Sequence, residues 1–241
     1  MKYQHNQNFD SEFSKIKNLK FYPYVGEKYG EDQKRIMVYA HNIPVPSEKF
    51  EAELLRTKSK THFADALSEY TFIKGDWTKS FRNFIKGTLG LDKDYSKSSD
   101  VEIINKIDEF VEGITYTNFI NGLVKSETQN NAKISEEQRK ESITIQNEII
   151  QILNSTHCIA WGKNVFEHIL EFPDFEVIET KKIDKIGFGY VKIQNKINLN
   201  TINVLKVFHP SMPSFGQLKS ETHDIFKWLS PLKIKKGDNI T

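Results

Sequence analysis

Short apolar runs that stop abruptly at polar residues recur along the chain, separated by stretches with helical spacing. Arg35-Ile36-Met37-Val38-Tyr39-Ala40 is a continuous apolar run between polar residues and predicts a buried strand. His41-Asn42 ends it, and Pro44 and Pro46 predict that no regular structure follows at once. From 48 to 86 the apolar spacing is mainly helical, with a break at Gly75-Asp76. Asp100 suits the cap of a helix over Val101, Ile104, Ile107, Phe110 and Val111, which Gly113 ends. Ile114 to Ile120 is β-branched and aromatic enough for a second strand. Ser135 with Gln138 is a capping-box signal before a helix carrying Ile145, Ile149, Ile152 and Leu153. Cys158 to Trp161 is a third strand, broken by Gly162, with a helix over Val165, Phe166, Ile169 and Leu170. Glu176–Thr180 and Gly187–Gln194 form strands around a Lys-rich turn, and Val204–Phe208 is the last strand before His209-Pro210-Ser211. A closing helix is expected from Phe215 to Leu229, and Pro23 to Gly30 is expected to be an ordered loop. This alternation predicts an α/β fold with a mainly parallel central sheet and one antiparallel excursion.

Composition narrows the class. The 241 residues are 38% hydrophobic and 27% charged, but the 12% aromatic content is too high for a disordered chain. One cysteine, Cys158, excludes a disulfide framework and any CxxC metal knuckle. No apolar run approaches the roughly 18–20 residues that span a bilayer, and the N-terminal MKYQHNQNFDSEF lacks the apolar core of a signal peptide. The expectation is a cytoplasmic, soluble protein with one domain over 1–241, of which 1–22 is a lead-in segment with a short helix over Phe9, Phe13 and Ile16. Net charge is +2, unevenly placed: residues 181–241 hold eleven lysines against Asp184, Glu221, Asp224 and Asp238. Such a basic quarter suits a surface that meets phosphates, or simply a solvated face.

Ligands of an open parallel sheet collect at the carboxyl ends of its strands. Three of the expected strand ends carry polar groups directly after an apolar run: His41-Asn42, Asn118 and His209-Pro210-Ser211. Each alone has an ordinary explanation as a turn, cap or loop residue. Their co-location under one fold is what points to chemistry. Other chemistries find no support: there is no GxGxxG or GxxxxGK[ST] phosphate cradle, no G-x-S-x-G elbow and no zinc spacing among the histidines.

The ordered set Ala40-His41-Asn42, Tyr116-Thr117-Asn118, Ile159-Ala160-Trp161-Gly162-Lys163 and Phe208-His209-Pro210-Ser211-Met212-Pro213-Ser214 resembles the uracil-DNA glycosylase superfamily over roughly residues 23–229. The resemblance implies a three-layer α/β/α sandwich and a monofunctional DNA glycosylase that uses no metal or other cofactor, works as a monomer and has DNA as its partner. It puts Asn42 in the place of the Asp or Asn that holds the attacking water. Asn118 takes the place of the base-reading Asn, and His209 that of the histidine that hydrogen-bonds the departing base. Ser211, Met212, Pro213 and Phe215 would then lie on the loop that enters the minor groove, the last three as apolar wedges. An Asn can orient water but cannot take its proton, so slower chemistry or help from His41 is expected. Phe50 and Phe63 are candidates to stack on the flipped base, with core packing as the alternative for each.

The uracil-specific branch continues its first motif into Pro-Tyr, the Tyr excluding groups at the base's 5-position. Here Ile43-Pro44 follows Asn42. The expected substrate is therefore a 5-modified pyrimidine, such as a modified cytosine of phage DNA in a defence role, ahead of uracil in base-excision repair. Two other classes stay open: a non-catalytic DNA-binding module of the same fold, and an α/β hydrolase acting on nucleosides or small glycosides.

Overall fold

The computed structural model describes residues 3–31, 34–56, 67, 78–91, 95, 99–126, 133–182 and 189–211, the side chains of 54–56 and 181–182 excepted. Among them are nine strands: β1 (Tyr24–Val25), β2 (Ile36–Ala40), β3 (Ile43–Pro46), β4 (Ile114–Asn118), β5 (Leu123–Ser126), β6 (His157–Trp161), β7 (Phe175–Lys182), β8 (Gly189–Asn195) and β9 (Thr201–Val207). The described residues also form six α-helices: α1 (Asp10–Phe13), α2 (Phe50–Arg56), α3 (Lys79–Leu89), α4 (Val101–Glu112), α5 (Glu136–Ile152) and α6 (Lys163–Ile169). Two helix starts follow the local chemistry read from sequence. The Asp100 carboxylate accepts from the backbone N–H groups of Glu102 and Ile103 at the head of α4, and the Ser135 hydroxyl accepts from that of Gln138 at the head of α5. Each cap satisfies N–H groups that have no partner within the helix.

Seven strands form one sheet in the order β1-β4-β2-β6-β9-β8-β7. β4, β2, β6 and β9 run parallel, while β1 is antiparallel to β4, and β8 is antiparallel to both β9 and β7. Half of the pairings are thus antiparallel, and the sheet is mixed rather than mainly parallel. The cause is local: the few residues between β8 and β9 allow only a hairpin. The Asn195 side chain folds that hairpin by accepting from the backbone N–H groups of Ile197 and Asn198. A second correction concerns Pro44 and Pro46. They lie inside β3, which pairs in parallel with β5 as a separate two-stranded sheet. Prolines at alternate positions remove N–H groups from one side of the strand only, so β3 keeps the other side for its single partner. The segment expected as a loop from Pro23 also contains β1, an edge strand too short for its pattern to register.

The parallel strands are buried on both faces because side chains alternate between two cores. On one face Val38, Tyr116, Trp161 and Leu205 pack against Phe81 and Phe84 of α3 and Phe110 of α4. On the other, Met37, Tyr39, Cys158 and Val204 meet Ile149 of α5 and Val165 and Ile169 of α6. The lead-in is part of this second core through Phe13, Ile16 and Tyr22. Gly26 marks how closely β1 is drawn in: a Cβ there would overlap the backbone carbonyl of Glu112. The expected closing helix from Phe215 lies outside the described residues.

Candidate functional site at the strand carboxyl ends

The chain leaves β2 toward β4 on one side and leaves β6 toward β9 on the other, so the topological switch point falls between β2 and β6. Such a point opens a crevice beyond the strand ends. Ala40, the last residue of β2, pairs with Asn118, the last of β4. The ladder continues past both strands, because Phe119 and Ile120 donate their N–H groups to the carbonyls of Ala40 (2.7 Å) and His41 (2.9 Å). His41-Asn42 and Asn118 are therefore held side by side. On the other flank Trp161 pairs with Val207, and His209 follows two residues later. Gly162 turns the chain from β6 into α6 at φ 92°, ψ 170°, a conformation essentially reserved for glycine, and a Cβ there would meet nothing within 4 Å. Among the described residues, none would meet that Cβ.

His209 is fixed from three directions. Its ring meets Trp161 edge-on, with centroids 5.8 Å apart and planes at 85°. Its Nδ1 lies 2.7 Å from the Ser211 hydroxyl and accepts the Ser211 backbone N–H at 3.3 Å. The Pro210 carbonyl between them accepts from the Asn83 side chain of α3 at 2.8 Å. A nitrogen that accepts a backbone N–H carries no proton, so the neutral ring has its proton on Nε2. Burial also holds the His209 pKa below its ordinary value, which keeps the ring neutral. The result is a neutral, oriented donor.

Asn118 is buried, and Gln146 of α5 fixes its backbone by donating to the carbonyls of Asn118 (3.1 Å) and Phe119 (3.0 Å). His41 points into the second core side of the sheet, its ring stacked on that of His168 from α6, with centroids 6.3 Å apart and planes at 27°. Its Nε2 is buried with no hydrogen-bond partner among the described residues. Burial first, then the fields of His168 and His209, push the His41 pKa down to about 4, while a hydrogen bond with the Asn42 side chain works in the opposite direction. His41 is accordingly a neutral base at pH 7 with Asn42 beside it.

His157, at the opposite end of β6, is the second histidine held at about 4, through burial and the nearby Lys34. Both folded values lie below the ordinary 6.5 of an exposed imidazole. As pH falls, the unfolded chain binds protons that the folded chain refuses. Stability from these two groups is complete above 6.5 and is lost as pH falls through about 4. The loss is on the order of 2 kcal/mol per group. The urea midpoint should therefore fall between pH 7 and pH 4.5, and fall less in His157→Asn. Equal slopes in the two proteins would assign the acid sensitivity elsewhere.

Of the residues singled out from sequence, His41, Asn42, Asn118, His209 and Ser211 converge on these strand ends, with Ser211 engaged by the His209 ring. Phe63, Met212, Pro213 and Phe215 lie outside the described residues. Phe50 is half-buried against the first core, with the Lys125 ammonium 4.7 Å from its ring centre. Asn83, Gln146 and His168 are additions that sequence reasoning missed. Each acts across a long chain separation, 127 residues for Asn83 and Pro210, and carries no local signal. Among the described residues no group of three or more His, Cys, Asp or Glu side chains is placed to hold a metal ion, and no helix is long and apolar enough to cross a membrane. Compared with models of protein families the chain matches none, and compared with curated proteins it again finds no match.

Proposed function

We propose that the chain is a DNA glycosylase, a divergent member of the uracil-DNA glycosylase superfamily with its three-layer α/β/α sandwich, acting on a 5-modified pyrimidine in preference to uracil. The observation that carries this reading is the gathering of His41, Asn42, Asn118 and a neutral His209 at the carboxyl ends of adjacent parallel strands around one switch point. A base stacked in duplex DNA hides its glycosidic bond, so the nucleotide is flipped into the crevice at a cost of about a few kcal/mol. The Asn118 amide offers a donor and an acceptor to the polar edge of a pyrimidine. As the bond from sugar C1′ to the base nitrogen breaks, its electron pair leaves with the base, and negative charge grows on the base oxygen. The Nε2–H of His209 donates to that oxygen. Water oriented by Asn42 attacks C1′ and gives its proton to His41.

The wall beside Asn42 supports the preference for a 5-substituent. Ile43 and Pro44 open β3 and turn into the small sheet with β5, so no aromatic ring follows Asn42. The test is incubation with matched duplexes carrying uracil, 5-hydroxymethylcytosine, its glucosylated form or ordinary bases, followed by alkali to break abasic sites. Breaks confined to one modified duplex are expected. Binding without breaks on any duplex would replace this reading with the non-catalytic module. Binding should weaken steeply with salt, since phosphate contacts release counterions; salt-insensitive cleavage of free nucleosides would instead indicate a small-glycoside hydrolase.

A further inference from the structure

On α4, α5 and α6 a lysine is paired with a glutamate one turn away: Lys106 with Glu102, Lys140 with Glu136 and Lys163 with Glu167. α3 departs from this pattern, for its residues include Lys79, Arg82 and Lys86 and no acid. The helical period sets Lys79, Arg82, Asn83 and Lys86 in one stripe about 100° wide, opposite the buried Phe81, Phe84 and Ile85. Lys79 is exposed and Arg82 half-buried, and neither side chain makes an ion pair or hydrogen bond among the described residues. The Arg82 Nε is itself buried without a partner among them. A guanidinium nitrogen removed from water in that way calls for an acceptor. The stripe borders the candidate site: Asn83, within it, donates to the Pro210 carbonyl at 2.8 Å, so the segment from His209 to the exposed Ser211 lies against α3.

We infer that the basic stripe of α3 binds the phosphodiester backbone of the DNA strand whose nucleotide enters the site, with Lys79 and Arg82 as its phosphate contacts. The inference rests on the glycosylase reading and adds the surface that holds the substrate in register. Charge complementarity and spacing both argue for this occupant. From Lys79 to Lys86 the helix rises about 10 Å, the axial length of about three phosphates of one strand. A lysine supplies a mobile point charge, and the arginine fork matches two phosphate oxygens at once. Asn83 ties the stripe to the segment that carries His209, so a strand held on α3 is held beside the ring that meets the departing base. Phosphate contacts fix the position of the duplex and carry no base sequence. They also hold ground state and transition state alike, so they set affinity rather than the rate of bond cleavage.

The test measures binding of ordinary and glucosylated 5-hydroxymethylcytosine duplexes by fluorescence anisotropy from about 50 to 200 mM salt, with base release followed beside it. Each lost phosphate contact lowers the slope of log affinity against log salt by about 0.9 on duplex DNA. The double variant Lys79→Gln/Arg82→Gln should therefore lose about 1.8 from the slope on both duplexes. Across this range the wild type's affinity then falls about tenfold more than the variant's. KM for the modified duplex should rise with kcat unchanged. A control that removes the same charge from the other face of the sheet, Lys15→Gln/Lys140→Gln, should keep the wild-type slope. A double variant with the wild-type slope overturns the stripe and leaves the glycosylase reading standing where base release persists. An equal loss of slope in the control overturns it too, as a diffuse effect of net charge. The expected slope change, with no base released from any duplex by wild type, upholds the stripe and overturns the glycosylase reading. Wild-type protein that binds no duplex overturns both. Where the double variant fails to fold, Lys79→Gln alone carries the test with a slope change of about 0.9, and Arg82→Lys, which keeps the charge, should leave the slope unchanged.

Discussion

Replacing His209 with alanine is expected to lower kcat for base release by about 10²–10³-fold, the loss typical of removing one preorganised donor to a developing anion. The magnitude follows from how the ring is prepared. Ser211 occupies Nδ1 and so commits the proton to Nε2, while Trp161 sets the plane of the ring. No reorganisation is left for the moment of bond cleavage. DNA affinity should change little, because the ring's role is to meet charge that exists only in the transition state. Loss of the edge-on contact with Trp161 costs about 1 kcal/mol of packing and should leave the fold intact. His209→Gln, which keeps an N–H donor, should recover part of the rate. The measurement is single-turnover release of the excised base with binding followed separately. A fully active alanine variant would remove His209 from the mechanism, and a variant that merely lost DNA binding would move it to the interface.

How much of this was legible beforehand differs from element to element. β2, β4 and β6 are encoded locally, β2 and β6 because residues 36–40 and 158–161 are unbroken apolar runs of the kind a strand buried on both faces favours, and β4 because residues 114–117 are β-branched and aromatic. Their ends were legible for the same reason: His41 and Asn42 are polar where the run stops. The caps at Asp100 and Ser135 were equally local. β3 was not, because Pro44 and Pro46 argue against a strand unless the partner on one side alone is known, and β5 lies far along the chain. The antiparallel half of the sheet has no local signature, because strand direction depends on connections and not on the composition of the strands. The site's supports were the least legible. His168 looks like an ordinary polar position on a short amphipathic helix until α6 is laid beside the end of β2. Gln146 looks like the solvated face of α5 until the loop after β4 is brought beneath it.

Asn42→Asp is expected to raise the rate of base release at pH 7, by about tenfold or more. An amide orients water through its oxygen but neither accepts the proton nor answers the positive charge that grows on the sugar. A carboxylate does both. Two unit charges about 4 Å apart at a protein surface attract by about 4 kcal/mol before solvent screening, so even a fraction of that exceeds tenfold in rate. Two effects work against the gain. Half-burial disfavours the carboxylate, and the new charge stabilises the imidazolium of His41, raising its pKa from about 4 toward the ordinary value. The first is small because Asn42 keeps contact with solvent. The second matters only at acid pH, so it should appear as an acid limb displaced upward rather than as a loss at pH 7. Asn42→Ala, which can neither orient water nor offset charge, should fall below wild type. The order Asp above Asn above Ala in single-turnover rate is therefore the expected result. An aspartate variant slower than wild type would mean that the amide N–H of Asn42, and not its oxygen, is the group the reaction uses, and the water would then have to be held by His41 itself.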